Sequence, residues 1–362
     1  MENDTLGLMD NSSYYVSYSQ RPETYIVPVI FAVIFFVGVL GNGTLILIFA
    51  RNRAMRNVPN TYIFSLALGD LLVIVSCVPF TSTLYTVESW PWGEAICKLS
   101  EMAKDVSIGV SVFTLTVLSA ERYFAIVKPL RRHVSSKPFT IATAIFIWIV
   151  SCLLALPAVI NSTIQHEIVS KDKVIVYCTP FPEEYGKSYS KFIVMTRFLI
   201  YYLIPLCIIG FFYILMARFL VISTQNMPGE QQGQQSNQIK ARKKVAKMVL
   251  AFVIIFVICF LPIHIFMLWF HFDPEAQEDY DEYWHTLRII GFCLSYINSC
   301  VNPIALYCVS KVFRRYFNQY LFCCLYHPSQ QDMSRMNMYS STYRRHNSIS
   351  TSHYTISNAE RT

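Results

Sequence analysis

"LTVLSAERYFAIVKPL" (residues 115–130) sets an adjacent acid and base, Glu121 and Arg122, at the end of a stretch that carries no charge from Ile108 onward. A charge pair closing an apolar run is what a helix shows as it leaves a nonpolar medium, because ionisable groups at membrane depth face a bundle interior, a wet cavity or the membrane edge. The whole chain fits that reading: of 362 residues 54% are hydrophobic and 15% charged, and the mean hydropathy is +0.38. Soluble domains carry about 25% charged residues. Apolar runs recur at 25–50, 62–83, 108–120, 139–160, 192–222, 245–270 and 289–309, most of them long enough for the ~20 residues with which a helix crosses a bilayer. The expected fold is therefore all-α, a seven-transmembrane helix bundle over residues 25–309. The third run looks short only because its far half holds Glu101, Lys104 and Asp105. Those three are the first functional suspects.

Basic residues gather in alternate connections: Arg51, Arg53 and Arg56; then Lys128, Arg131, Arg132 and Lys137; then Lys240, Arg242, Lys243 and Lys244; then Lys311, Arg314 and Arg315. The positive-inside rule makes these loops cytoplasmic. "DPEAQEDYDE" (273–282) holds six carboxylates and no lysine or arginine, so it belongs outside with the N-terminus, and a multi-pass plasma-membrane protein is expected. The first residues lack the basic and apolar regions of a cleavable signal, which leaves the first span as an uncleaved insertion signal. Most of the net charge of +7 then reports topology. No zinc-ligand spacing, phosphate loop or RNA-binding signature accompanies it, so nucleic acid is not an expected partner.

Residues 1–24 form an extracellular segment with sequons at Asn3 and Asn11; Asn161 is a third plausible acceptor, whereas Asn42 lies inside the first span and stays bare. Cys97, at the head of the third span, and Cys178, in the loop 161–191, can pair in an oxidising lumen. Most other cysteines read as small buried residues. Residues 310–324 combine a short amphipathic cytoplasmic helix with Cys323 and Cys324, which are either palmitoylated or ordinary reduced thiols. Residues 325–362 read as a disordered polar tail.

Around the opening stretch stand "GN" at Gly41-Asn42, "SLALGD" ending in Asp70, Cys97, Trp148, Pro205 followed by Tyr213, "CFLP" ending in Pro262, and "NP" at Asn302-Pro303, each in its own span and in order. With these motifs the chain resembles the rhodopsin-like G-protein-coupled receptors from residue 25 to about 324. "MRNVPN", "GVSVFTLTVLSAERYFAIVKP" and "NSCVNPIALY" are similar to the bombesin-type peptide receptors, the insect CCHamide receptors above all. In that branch, as here, leucine (Leu306) and then tyrosine (Tyr307) follow the proline of the last motif.

The resemblance implies roles. Glu121 restrains Arg122 at rest; on activation the arginine swings towards Tyr213 and meets a heterotrimeric G protein, with Tyr123, Tyr307 and the helix-bending prolines Pro262 and Pro303 in the same switch. A plain interfacial ion pair fits the charges equally well. The residues 240–244, "KARKK", offer no acid as a second restraint. Asp70 joins Asn42, Ser111, Asn298 and Asn302 around a sodium ion in the inactive state, or else is a protonated acid. No other cofactor is implied. "RRHNSISTSHYT" (344–355) looks like a substrate of receptor kinases and a binding segment for arrestin, or an uninformative linker.

The outer half of the bundle is where this family takes its ligand. Aminergic receptors place aspartate where this chain has Lys104, and Asp105, one residue on, is turned ~100° from that site. An opsin needs a lysine midway along the seventh span, and none is present. What remains is a pocket of Lys104, Asp105, Arg197, Phe260, His264, Phe266, Phe292 and Tyr296, suited to the aromatic, amidated C-terminus of a neuropeptide; the resemblance to bombesin-type receptors implies a Gq-type output. Each polar member has a bland alternative: a snorkelling lysine, an arginine paired to a neighbouring helix, a core histidine. Bombesin receptors carry arginines where Phe270 and Phe292 stand here, and Phe260 replaces their usual tryptophan. A transporter or channel running on Asp70, Lys104 and Arg122 is the other class. The chain shows neither the internal repeat of such folds nor a nucleophile–base pair or metal-ligand cluster typical of an enzyme.

Overall fold

The computed structural model describes residues 20–127, 136–170, 173–225 and 232–321. Seven stretches of helix are long and apolar enough to cross a membrane: α1 Glu23–Arg51, α2 Val58–Thr83, α3 Gly93–Val127, α4 Lys137–Asn161, α5 Glu183–Phe219, α6 Ala246–Phe272 and α7 Glu282–Val309. A short helix, α8, follows at Lys311–Leu321. Helix also extends past α5 to Gln225 and precedes α6 from Gln232. The sites expected at Asn3, Asn11, Cys323 and Cys324, and the tail 325–362, lie outside the described residues.

The outer surfaces explain why the bundle needs a nonpolar surround. In α1, Val27, Phe31 and Ile34 are buried, yet Val29, Val33, Phe36 and Leu40 on the opposite face stand more than half exposed. A helix apolar on every side is satisfied only by protein on one face and lipid on the other. Two helix starts are capped in the ordinary way: Asn57 Oδ1 accepts from Asn60 N at 3.1 Å, and Asp281 Oδ1 from Trp284 N at 3.0 Å.

Prolines interrupt three helices one turn early, because each lacks an N–H and its ring crowds the preceding turn. The α-helical ladder breaks at Cys77 before Pro79 and at Ala155 before Pro157. In α5 the segment Leu199–Leu203 winds as a π turn ahead of Pro205. Pro28, Pro262 and Pro303 remain inside continuous helix. At Gly291 the backbones of α6 and α7 come so close that an added Cβ would lie 2.8 Å from Ile263 N.

One element departs from the all-α expectation. Within the loop 161–191, β1 (Thr163–Ser170) and β2 (Lys173–Thr179) pair antiparallel, with Ile164 opposite Cys178. Both strands are rich in Ile, Val and Thr, which favour the pleated backbone. The hairpin is tied down twice. Cys178 is disulfide-bonded to Cys97 at the head of α3, with Cα atoms 5.6 Å apart, as expected. Trp90 N donates to Val176 O at 2.7 Å, and Val176 N donates to Ser89 Oγ at 3.2 Å. At the other end of the bundle α8 buries Phe313, Tyr316 and Phe317, and Asn52 donates to Tyr320 Oη at 3.2 Å. That is the amphipathic helix anticipated within 310–324.

Candidate functional site

Beneath the hairpin, α3, α5, α6 and α7 enclose a cavity of about 100 Å³. Lys104, Asp105 and Ile108 line it from α3, Val194, Arg197 and Tyr201 from α5, Phe260, Ile263, His264 and Met267 from α6, and Phe292 and Ser295 from α7. Its charges are closed upon one another. Lys104 Nζ donates to Glu101 Oε1 at 2.5 Å, an i,i+3 pairing that one helix face allows. Arg197 donates to Asp105 Oδ2 through Nη2 at 2.7 Å and Nε at 3.2 Å, and lies 3.9 Å from Glu101. Two acids and two bases thus cancel in a setting where an unpaired charge would be costly.

Arg197 pairs α5 to α3 and also lines the cavity. The ~100° turn does not remove Asp105, because four helices wrap the space and its carboxylate faces α5. His264 lies edgewise to Phe198 and tilted against Tyr202, with ring centroids at 5.6 and 4.7 Å. Phe266 packs instead among Trp269, Phe270 and Tyr280. Tyr296 is buried deeper, sharing a hydrogen bond with Thr81 at 3.2 Å. The wall residues that reading by motif missed are Ile108, Val194, Tyr201, Ile263, Met267 and Ser295; Arg288, outside this cavity, stands over Tyr280 at 5.8 Å. Their signal was helical spacing, since Tyr201 is four residues past Arg197, Met267 three past His264 and Ser295 three past Phe292.

Phe260 separates this space from a smaller one of about 20 Å³, which Ser111, Tyr296, Asn298 and Ser299 also line. Asp70, wholly buried, accepts from Asn302 Nδ2 at 2.9 Å. Its other oxygen is buried and makes no hydrogen bond, although the Ser299 hydroxyl lies beside the carboxylate. Asn42 turns instead to Gly38 O at 3.1 Å and Ser299 O at 2.8 Å, joining α1 to α7. A carboxylate with one orphaned oxygen and the Ser299 hydroxyl beside it fits a small oxygen-seeking monovalent cation, while Ser111 and Asn298 line the small cavity, which Asp70 and Asn42 do not. Among the described residues no cluster of His, Cys, Asp and Glu suits a transition metal.

At the far end of α3, Arg122 Nη2 stands 3.0 Å from Glu121 Oε2, both side chains buried. The Tyr213 hydroxyl of α5 donates to Ala246 O of α6 at 2.9 Å. Tyr123 packs on Phe212, ring centroids 5.5 Å apart. Tyr307 donates to Asn318 Oδ1 of α8 at 3.1 Å, with the Arg314 guanidinium 5.6 Å from its ring. Asn161, the third expected sequon, donates its amide to Tyr189 Oη at 2.7 Å.

Residues 41–307 match the family described as 7 transmembrane receptor (rhodopsin family). The chain is 52% identical over 322 residues to the neuropeptide CCHamide-1 receptor of Drosophila melanogaster, a match covering 87% of this chain and 64% of that protein. It is 39% identical over 312 residues to the [Phe13]-bombesin receptor of Bombina orientalis, covering 85% and 79%. To the bombesin receptor subtype-3 of Ovis aries it is 42% identical over 297 residues, covering 81% and 74%. The chain spans less than two thirds of the length of the first of these relatives. It belongs to the rhodopsin family of seven-transmembrane receptors, a family of receptors and not of enzymes.

Proposed function

We propose that the chain is a plasma-membrane receptor for an amidated neuropeptide of the CCHamide or bombesin kind, and that it passes the signal to a heterotrimeric G protein of the Gq type. The hairpin and the N-terminus face outward, and the Arg122 end faces the cytoplasm, an orientation that the basic residues of alternate loops support. The observation that carries the ligand reading is the self-neutralised cavity: its two lining bases, Lys104 and Arg197, are already paired with Glu101 and Asp105. A peptide entering it gains most from aromatic contact with Phe260, His264 and Phe292 and a neutral terminal amide. A free carboxylate would have to break an existing pair. The similarity to CCHamide and bombesin receptors supports the same class.

Contact above Pro262 moves the inner half of α6, frees Arg122 from Glu121 and detaches Tyr213 from Ala246, opening a cleft for the G protein. Receptor kinases and arrestin act later on the tail. A sodium ion at Asp70 favours the resting state, so Asp70→Asn is expected to abolish the dependence of agonist affinity on sodium, read by radioligand displacement with and without the cation. Equal dependence in variant and parent rejects the ion site.

The deciding experiment is phosphoinositide turnover in cells expressing the chain, screened against amidated neuropeptides and their free-acid counterparts. The amidated form of one peptide should signal at concentrations at least tenfold lower than its acid. Responses only to non-peptide ligands, or equal potency of amide and acid, reject the reading.

A further inference from the structure

The sequon Asn161-Ser162-Thr163 is held at each of its three residues. Asn161 closes α4 and donates its side-chain amide to Tyr189 Oη, in the first turns of α5, at 2.7 Å. Ser162 is buried, 1% exposed, and its N–H donates to Ala158 O at 3.1 Å, one turn back in α4. Thr163 opens β1, opposite Thr179. The Tyr189 ring packs edge-on against Tyr185, with centroids 5.1 Å apart. A glycan would replace one of the two amide hydrogens of Asn161 with a sugar ring on the very nitrogen that meets the phenol.

The place of this bond gives it a purpose. Behind the ligand cavity lies a small space of about 40 Å³, lined by Pro157 and Ala158 of α4, by Tyr189, Arg197 and Tyr201 of α5, and by Asp105 of α3. Asp105, Arg197 and Tyr201 line the main cavity as well. Asn161 and Tyr189 therefore tie α4 to α5 beside the wall that presents Arg197 to the ligand.

Height in the membrane points the same way. A glycan is transferred while the loop is still unfolded, so what matters at that moment is how far the acceptor stands from the bilayer. α4 runs 25 residues from Lys137 to Asn161, about 37 Å of helix at ~1.5 Å per residue. The hydrocarbon core takes about 30 Å, and about 40–45 Å includes both headgroup layers. With Lys137 at the cytoplasmic edge, Asn161 lies within the outer headgroup layer, and the break in the helix at Ala155 lowers it further. A transferase that works in the lumen does not reach an acceptor at that depth. Asn11 differs: eleven residues separate it from Glu23, where α1 begins, a length that extends to about 36–40 Å.

We infer that Asn161 carries no glycan and serves instead as the clamp between α4 and α5, so that N-glycans, where present, sit ahead of α1. The inference does not depend on which peptide the chain binds.

The test joins enzymatic deglycosylation to a double-mutant cycle, both on the full-length chain expressed in cells that add N-glycans. N3Q/N11Q should show no size shift with peptide-N-glycosidase, and Asn161→Ala should show the same shift as the parent. Core glycans are added before folding, so both readings hold even for a variant retained in the endoplasmic reticulum. In purified protein, Asn161→Ala and Tyr189→Phe should each lower the thermal unfolding midpoint by about 2 °C, and the double variant should fall no further than either alone. A shift that remains in N3Q/N11Q and is lost on adding Asn161→Ala overturns the reading of the sequon. Parent-like midpoints in both single variants, or losses that add in the double, overturn the clamp.

Discussion

At the disulfide end of α3, Asp105 reaches across to Arg197 of α5 at 2.7 Å, while at the opposite end Glu121 pairs with its own neighbour, Arg122, at 3.0 Å. The first pair joins two helices and is reinforced by Lys104, Glu101 and the bond from Cys97 to Cys178. The second pairs neighbours on one helix, and near it the Tyr213 hydroxyl of α5 donates to Ala246 O of α6. Charges of similar burial thus do different work according to whether their partner lies across a helix gap. One pair bridges two helices; the other lies within one.

Three perturbations test that contrast, beginning with the largest. Cysteine-to-serine replacement at Cys97 or Cys178 unties a closure of 81 residues, worth about 4.5 kcal/mol in the chain-entropy model. Each single variant should lose surface expression and ligand binding, measured by flow cytometry and radioligand saturation; unchanged affinity in both would mean that the hairpin needs no tether. Arg197→Met strands Asp105, while Glu101 keeps Lys104, and removing one partner of a buried ion pair costs about 3–5 kcal/mol. Its thermal unfolding midpoint should fall well below that of the double variant D105N/R197M, and a double variant no more stable than the single would show that the pair is not shared across the helices.

At the labile end the expected effect is smaller and takes another form. A restraint of ~1 kcal/mol is a factor of about five in an equilibrium, so the loss of that much in Glu121→Gln should raise ligand-independent phosphoinositide turnover about fivefold at matched surface expression. Arg122→Ala should bind peptide and signal poorly. If the two changes reduce signalling in parallel with binding, the inner pair is structural and the contrast between the ends disappears.

What was legible in the sequence is what is written locally. Hydropathy marks a span within its own ~20 residues, and Glu121-Arg122-Tyr123, Asp70 and Asn302-Pro303 each declare a place in the bundle. The cysteine partners stood out because only they fell in the outward loops with the lumen's chemistry. The Asp105–Arg197 pair was not legible, since its members are 92 positions apart and the rotation around α3 that sets Asp105 apart from Lys104 says nothing of where α5 stands. Phe266 illustrates the same limit: an aromatic near Pro262 suits the cavity by type, but Trp269, Phe270 and Tyr280 claim it. The hairpin, with strands of eight and seven residues, was read as loop because hydropathy marks spans and not strands, and its pairing depends on a tether to α3.

The π turn at Leu199–Leu203 sets the rotational phase of α5. Each added residue advances a helix by about 100°, so this one widened turn decides which side of the lower half looks at α6 once the upper half has been fixed against α3. Arg197 meets α3 above it and Tyr213 meets α6 below it. The two halves of one helix are therefore geared separately: the length of that turn tunes the meshing of the lower half without disturbing the upper.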